Sequence, residues 1–150
     1  MHKILFVCHG NICRSPMAEF IMKDIINKRN IRHDFYIESC ALSNEEIGNP
    51  IDYRARRILD AHNIPYEHRR ARRINRDDYD KFDYIIYMDE ENRYLLNYVY
   101  PNDNEHKIYR LLDFSSYPRD VIDPWYSGNF LRAYNDILEG IEGLLKHLGY

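Results

Sequence analysis

A short apolar strand that runs directly into a tight loop and then into a helix constrains this chain more than any other feature. The strand is Ile4-Leu5-Phe6-Val7, and the residues that follow it are Cys8-His9-Gly10-Asn11-Ile12-Cys13-Arg14-Ser15-Pro16. Ser15 is predicted to cap the helix and Pro16 to occupy its first position. A strand–loop–helix unit of this kind is typical of α/β proteins, whose parallel sheets are covered by helices on both faces.

The rest of the chain repeats this alternation, with no repeat or linker that would divide it. Strands are predicted at Lys3–Val7, Phe35–Ala41, Tyr84–Met88 and Lys107–Leu111. Helices are predicted at Ser15–Lys28, Asp52–His62, Asp77–Phe82, Asp89–Tyr98 and Phe130–Leu148, and residues 113–128 are predicted to form a loop. The pattern predicts one α/β domain over residues 1–150. Ligands of such sheets bind beyond the carboxyl ends of the strands, where Cys8 lies.

Composition and charge argue against several classes of protein. The net charge of -3 does not favour nucleic acid as a partner. No apolar run approaches the roughly 20 residues that span a membrane. Three cysteines without the spacing of a disulfide framework, and a first strand that begins almost at Met1, favour a cytoplasmic protein without a signal peptide. The basic run at residues 68–76 is interpreted as a solvated face, and no spacing of histidines indicates a metal site.

The loop after the first strand, here called the anion loop (residues 8–15), has the composition of an anion-binding site. Backbone N–H groups at the start of a helix attract an anion, and Gly10 permits backbone angles that a side chain would forbid. Arg14 can hold two oxygens of a phosphoryl group at once. The same positive field favours the thiolate form of Cys8, which could displace the alcohol of a bound phosphate ester. Ser15 could donate a hydrogen bond to the sulfur.

This loop resembles that of the low-molecular-weight protein tyrosine phosphatases, which reads V-C-x-G-N-x-C-R-S-P. The resemblance covers nearly the whole chain and includes Ser39, residues 48–54, His68, Met88-Asp89 with Asn92, and Asp123-Pro124-Trp125-Tyr126. It implies a three-layer domain with a four-stranded, twisted parallel sheet, helices on both faces and a phosphate-binding loop after the first strand. It also implies hydrolysis of phosphotyrosine through a phosphocysteine intermediate, without a metal or another cofactor.

The resemblance assigns a role to each candidate residue. It implies that Cys8 is the nucleophile, Arg14 the phosphate clamp and Asp123 the general acid and base. The resemblance also implies that Asn11, Ser15, Ser39 and His68 form a hydrogen-bond network that holds the loop in shape, in which Ser39 and His68 support the loop from outside it. The residues expected to bind the substrate are His9, Gly10, Asn11, Ile12, Cys13, Ser15, Trp125 and Tyr126.

The late loop contains the acid and a candidate wall for the substrate. From the residues alone, Asp120 and Asp123 are both candidates for the acid, and the resemblance selects Asp123. This group must be protonated at first so that the leaving oxygen receives a proton, and it would then act as a base on water. Trp125 and Tyr126 could enclose a phenyl ring and exclude aliphatic phosphates.

One segment departs from the family pattern. Members usually carry a large aromatic residue near residues 43–47, where it forms one wall of the substrate slot. This chain has Asn44 or Glu45 at that point. We therefore expect either that another residue supplies the wall or that the slot is wider and more polar.

Two related activities and one binding function compete with hydrolysis of phosphotyrosine. Protein-arginine phosphatases look similar but have threonine where this chain has Ile12, and the bulkier apolar side chain favours an aryl ester. Arsenate reductases on this scaffold use a downstream cysteine pair, and this chain has no cysteine after Cys40. A catalytically silent phosphopeptide-binding module would lack Cys8, Arg14 or Asp123, and all three are present. The expected partners are therefore phosphotyrosine-bearing proteins and inorganic phosphate, as product and inhibitor.

Cys13 has two interpretations. It could form a reversible disulfide with Cys8 that protects the nucleophile from deeper oxidation. It could instead be a small buried residue beneath the loop. The family pattern also has a cysteine at this position, which favours the redox role.

Overall fold

The computed structural model describes residues 1–150. The strands are β1 (His2–Cys8), β2 (Phe35–Ala41), β3 (Tyr84–Tyr87) and β4 (Ile108–Arg110). The α-helices are α1 (Arg14–Lys28), α2 (Tyr53–Ala61), α3 (Asp77–Lys81), α4 (Glu90–Val99), α5 (Pro124–Ser127) and α6 (Phe130–His147). Short 3₁₀ turns cover Arg32–Asp34 and Leu111–Phe114. None of the helices is long and apolar enough to cross a membrane.

The four strands form one parallel sheet in the order β2-β1-β3-β4, so the predicted α/β architecture is confirmed. β1 is central, and its last residue, Cys8, pairs with Ala41 of β2. All strands end at the same edge of a parallel sheet, so the loops that follow them meet there. This edge therefore collects the anion loop, the segment after β2 and the start of α4.

Alternate residues of β1 face two separate cores. Ile4 and Phe6 are fully buried among side chains that include those of α1 and α6. Leu5 and Val7 are fully buried on the opposite face, in a smaller core that includes Leu96 of α4. A strand that is buried on both faces cannot shift its register without placing every side chain on the wrong face. The position of Cys8 at the sheet edge is therefore well determined by packing.

The start of α1 differs from the prediction. The helix begins at Arg14 with Cys13 at the N-cap position, and no side chain caps it. The prediction that Ser15 caps this helix is therefore wrong, because its hydroxyl lies against the sulfur of Cys8 instead. Pro16 falls in the first turn, where a missing N–H removes no helical hydrogen bond.

The segment predicted as a loop at residues 113–128 contains the short helix α5 and the end of a 3₁₀ turn. The side chain of Asp123 caps α5 by accepting a hydrogen bond from the backbone N–H of Trp125 at 3.0 Å. Pro124 follows the cap at the first helical position, and Gly128 ends the helix in the left-handed region at φ 73°. These local signals are strong, but a single turn has too few residues to show helical periodicity.

Candidate active site

A pocket of about 130 Å³ lies beyond Cys8 at the carboxyl edge of the sheet. Three segments form it: the anion loop, the segment after β2 and the beginning of α5. Its lining residues are Cys8, His9, Gly10, Ile12, Cys13, Arg14, Glu45, Glu46, Asp123, Trp125 and Tyr126. A larger groove of about 430 Å³ borders α1 and β2, but it contains none of the predicted site residues. The smaller pocket is therefore the candidate site.

The sulfur of Cys8 is held at the floor of this pocket. The residue is only 3% exposed, and its Sγ lies 3.0 Å from Ser15 Oγ and 3.4 Å from the Ser15 backbone nitrogen. A thiolate has no proton to give, so in that form both groups of Ser15 donate to it. The arrangement stabilises negative charge on the sulfur, which a nucleophile or a leaving thiolate requires.

A chain of side chains beneath the anion loop holds Ser15 in place. The backbone of Asn11 is in the left-handed region at φ 60°, and its Nδ2 donates to Ser15 Oγ at 2.8 Å and to Ser39 Oγ at 3.0 Å. Ser39 in turn donates to Glu19 Oε1 at 2.6 Å. The structure thus brings together Asn11, Ser15 and Ser39, as the resemblance implied. Asn11 and Ser15 lie behind the loop and not in the pocket lining, and sequence reasoning missed Glu19.

His68 does not join this network, and the expectation that it supports the loop is wrong for this geometry. Its side chain is exposed and lies edge-on to the ring of Tyr66, with no hydrogen bond to the loop. The adjacent Arg69 takes the place expected for His68 and donates through Nη2 to the backbone carbonyl of Asn11. Sequence reasoning missed Arg69 because it is one of five arginines between residues 69 and 76. That basic segment was interpreted as a solvated face.

Arg69 also places a positive charge behind the anion loop. Burial lowers the pKa of this guanidinium below its ordinary value, while the negative charges of Glu19 and Cys8 act in the opposite direction. Arginine nevertheless remains protonated at neutral pH. A guanidinium behind the loop can hold the Asn11 carbonyl so that it points away from the pocket. Its positive charge also favours a bound anion on the pocket side of the loop.

Arg14 is the most deeply buried charged residue of the site, at 2% exposure. Its Nη1 donates to Asp89 Oδ2 at 2.5 Å and to the backbone carbonyl of Val121 at 2.8 Å. Its Nη2 lies 3.4 Å from Asp123 Oδ2. Burial would lower the pKa of this guanidinium, but negative charge from Cys8 and the two carboxylates raises it above its ordinary value. The group is therefore a permanent cation within the pocket.

Asp89 receives Arg14 because it is fixed at the start of α4. Its Oδ1 accepts from the backbone N–H of Asn92 at 2.8 Å, and Asn92 Oδ1 accepts from the backbone N–H of Asp89 at 3.3 Å. This reciprocal capping box leaves Oδ2 free to accept from Arg14. Sequence reasoning recognised the Met88-Asp89 pair only as part of a family pattern and assigned no role to Asp89. The feature of the sequence that could have indicated Asp89 is an acidic residue directly after a buried strand.

The structure distinguishes the two candidate acids. Asp123 lines the pocket, with Oδ1 held by the Trp125 N–H and Oδ2 near Arg14. Asp120 instead accepts from Arg110 Nη1 at 2.9 Å and lies outside the lining. A backbone hydrogen bond from Val121 N–H to the Met88 carbonyl at 2.9 Å anchors this segment to the end of β3. Asp123 is therefore the carboxyl that can exchange a proton with a group bound in the pocket.

The exposed part of the pocket lining combines aromatic and acidic side chains. Trp125 and Tyr126 line the pocket and are 51% and 84% exposed. The segment after β2 contributes Glu45 and Glu46 to the lining, and Asn44 is not among the lining residues. At the position where the family usually has a large aromatic residue, this pocket therefore has acidic side chains.

Cys13 lines the same pocket as Cys8, and all three cysteines are free thiols. Burial raises the pKa of the Cys13 thiol well above its ordinary value, and the charge of Cys8 raises it further. Cys40 is fully buried in the smaller core. Cys8 is therefore the thiol that an oxidant should attack first, and Cys13 is the neighbour that could trap the product.

Mild peroxide treatment should produce a disulfide between Cys8 and Cys13. Oxidation of Cys8 gives a sulfenic acid, and attack by the Cys13 sulfur forms the S–S bond with loss of water. The measurement is mass spectrometry of peptides after free thiols have been alkylated, with Cys40 as the internal control. Accumulation of the sulfinic form of Cys8 with no linked peptide would contradict this expectation.

Known proteins are similar to this chain over nearly its whole length. A family model described as low molecular weight phosphotyrosine protein phosphatase matches residues 3–149. YfkJ of Bacillus subtilis, named as a low molecular weight protein-tyrosine-phosphatase, is 41% identical over 150 residues, which cover 99% of this chain and 96% of that protein. The crystal structure of YfkJ has a TM-score of 0.93 at 40% identity and covers 99% of this chain and 94% of its own.

Two further proteins extend the comparison. PtpA of Staphylococcus aureus, named in the same way, is 36% identical over 149 residues, which cover 99% of this chain and 94% of PtpA. The crystal structure of DARP, a Drosophila arginine phosphatase, has a TM-score of 0.89 at 34% identity and covers 98% of each chain. The chain therefore belongs to the low molecular weight phosphotyrosine protein phosphatase family and is a cysteine-dependent phosphatase.

Proposed function

We propose that residues 1–150 form one catalytic domain that hydrolyses phosphotyrosine in proteins through a phosphocysteine intermediate. Cys8 is the nucleophile, Arg14 the phosphate clamp and Asp123 the general acid and base. The observation that carries this proposal is the convergence on one pocket of Cys8 and Arg14, near the two ends of the anion loop, with Asp123 from a segment more than 100 residues later in the chain. A thiolate, a buried guanidinium and a carboxyl group are the parts that phosphoryl transfer to sulfur requires.

In the first step the Cys8 thiolate attacks the phosphorus atom and the bond to the tyrosyl oxygen breaks. The phosphoryl oxygens receive hydrogen bonds from the backbone N–H groups of the anion loop and from Arg14. Asp123 donates its proton to the departing oxygen, so that tyrosine leaves as a neutral phenol. The products of this step are tyrosine and the phosphocysteine.

In the second step water attacks the phosphocysteine and releases inorganic phosphate. Asp123, now a carboxylate, removes a proton from the attacking water and returns to its protonated form. The sulfur departs as a thiolate, which the hydroxyl and backbone N–H of Ser15 stabilise at 3.0 and 3.4 Å. Inorganic phosphate then occupies the same loop as the substrate phosphoryl group, so it should inhibit competitively.

The pocket walls support an aryl phosphate as the substrate. Trp125 and Tyr126 offer aromatic surface on one side of the mouth, and Ile12 presents an apolar side chain to the interior. The structural similarity to an arginine phosphatase makes phosphoarginine the second candidate substrate. Against that candidate, this chain has the apolar Ile12 at the position where protein-arginine phosphatases have threonine. Three free thiols favour the cytoplasm as the working compartment.

Purified protein should hydrolyse phosphotyrosine peptides and leave phosphoserine and phosphoarginine peptides almost unchanged. Cys8→Ser should reduce phosphate release to the background, because the hydroxyl is a far weaker nucleophile at neutral pH. Arg14→Lys should have a similar effect, because an ammonium cannot hold two phosphoryl oxygens in one plane. The measurement is phosphate release from the three matched peptides. Full activity in Cys8→Ser, or faster release from phosphoarginine, would refute the proposal.

Asp123→Ala should slow phosphocysteine formation on phosphotyrosine by about 10²- to 10³-fold, which is typical for loss of a general acid. The loss should be smaller for p-nitrophenyl phosphate, because that leaving group departs readily as an anion. Asp120→Ala is the matched control, since Asp120 lies outside the pocket. Steady-state rates and the burst of released phenol test the expectation. Equal losses on both substrates would show that Asp123 is not the proton donor.

Arg69→Gln should reduce kcat/KM and the affinity for inorganic phosphate, each on the order of tenfold, because it removes a charged donor from the Asn11 carbonyl. Arg69→Lys should restore part of the loss by restoring the charge. Arg70→Gln is the control, since Arg70 is exposed and donates only to the Gly48 carbonyl. Inhibition by phosphate measures the state of the loop without turnover. An unchanged inhibition constant in Arg69→Gln would contradict this role.

A further inference from the structure

The mouth of the catalytic pocket is negatively charged although its floor is positively charged. Glu45 and Glu46 both line the pocket, and the side chain of Glu45 is mostly exposed at its mouth. Arg14 is the only lysine or arginine among the lining residues, and it lies on the floor with its Nη1 2.5 Å from Asp89. A substrate with two negative charges must therefore pass two carboxylates before it reaches the guanidinium.

Contacts hold both carboxylates at the mouth. Glu45 Oε2 lies 2.8 Å from His9 Nε2, and the side chain is still 69% exposed, so the carboxylate remains open to a second partner. Glu46 Oε2 accepts from Asn49 Nδ2 at 2.5 Å. The aliphatic part of the Glu46 side chain packs against Gly10. A Cβ atom added to Gly10 would lie only 3.1 Å from Glu46 Cγ. Both side chains thus line the pocket and have a hydrogen-bond partner there.

The arginines near these carboxylates are directed elsewhere. Arg73 donates to Asn44 Oδ1 at 3.1 Å, and Arg70 donates to the Gly48 carbonyl at 3.0 Å. Arg54 pairs with Asp52 at 3.1 Å and lies over the ring of Trp125 at 5.0 Å. None of the three lines the pocket, and none forms an ion pair with Glu45 or Glu46.

We propose that Glu45 and Glu46 select phosphotyrosine peptides that carry lysine or arginine within two residues of the phosphotyrosine. This specificity rests on the proposed function. Successive residues of an extended peptide are about 3.3 Å apart, so a long basic side chain beside the phosphotyrosine can reach the mouth. A cation there compensates the repulsion between the phosphate and the two carboxylates. An acidic residue at the same position adds to the repulsion.

The preference should be moderate and sensitive to salt. Ion pairs between exposed side chains are weak, and two such pairs correspond to a preference of roughly three- to tenfold in kcat/KM. Exposed charges are screened over about 10 Å at 0.1 M salt and over about 3 Å at 1 M salt. The preference should therefore decline markedly when sodium chloride is raised from 50 mM to 500 mM.

The test uses three phosphotyrosine peptides that differ only at the flanking positions, which carry lysine, alanine or glutamate. Wild-type protein should hydrolyse the lysine peptide fastest and the glutamate peptide slowest. In the double variant Glu45→Gln/Glu46→Gln, the three values of kcat/KM should lie within about twofold of each other. Glutamine can preserve the hydrogen bonds to His9 and Asn49, so the change removes charge and retains shape. Glu45→Gln alone should give an intermediate preference and retains the packing of Glu46.

The matched control is Glu142→Gln, which makes the same change in net charge per site. Glu142 pairs with Arg29 just beyond the C-terminal end of α1, about 20 Å along that helix from the anion loop. This variant should keep the full preference of the wild-type protein. Equal hydrolysis of all three peptides by wild-type protein, or an undiminished preference in the double variant, would overturn the inference. Failure of wild-type protein to hydrolyse any phosphotyrosine peptide would instead overturn the proposed function.

Discussion

The guanidinium of Arg14 is the interaction on which the rest of the site depends. It joins the start of α1 to Asp89 at the start of α4 and to Val121 and Asp123 in the late loop. A charge buried to this extent is strongly destabilising unless it is paired and hydrogen bonded. The positions of its partners are therefore constrained, and this constraint brings Asp123 to the same pocket as Cys8.

The anion loop is held from behind by a second set of contacts. Its backbone includes a left-handed residue, Asn11, whose side chain links Ser15 to Ser39 and whose carbonyl accepts from Arg69. Positive charge thus lies both within the loop, at Arg14, and behind it. The mouth has the opposite sign. A floor that binds any phosphoryl group is combined with an entrance that discriminates by the charge of the surrounding peptide, and Glu45 is part of that entrance.

Local sequence signals predicted the elements well where packing reinforced them. β2 spans Phe35–Ala41, the range predicted from the sequence, because alternate side chains of that strand are buried. The ends of the helices were less accurate. Ser15 has the side chain of a helix cap, yet its hydroxyl lies against the sulfur of Cys8, because a neighbour from β1 competes for it. His68 and Arg69 are adjacent in a polar segment, and only the course of the backbone decides which side chain points beneath the loop.

By itself the sequence determined the α/β architecture, the position of the anion loop after the first strand, and Cys8 and Arg14 as the candidate nucleophile and phosphate clamp. These properties follow from periodicity and from residues that are neighbours along the chain. Tertiary structure alone decided that Arg69 contacts the loop, that Asp89 holds Arg14, and that Glu45 and Glu46 both line the pocket. These contacts join residues that are tens of positions apart. The path of the folded backbone determines such contacts, and no local pattern of residues encodes it.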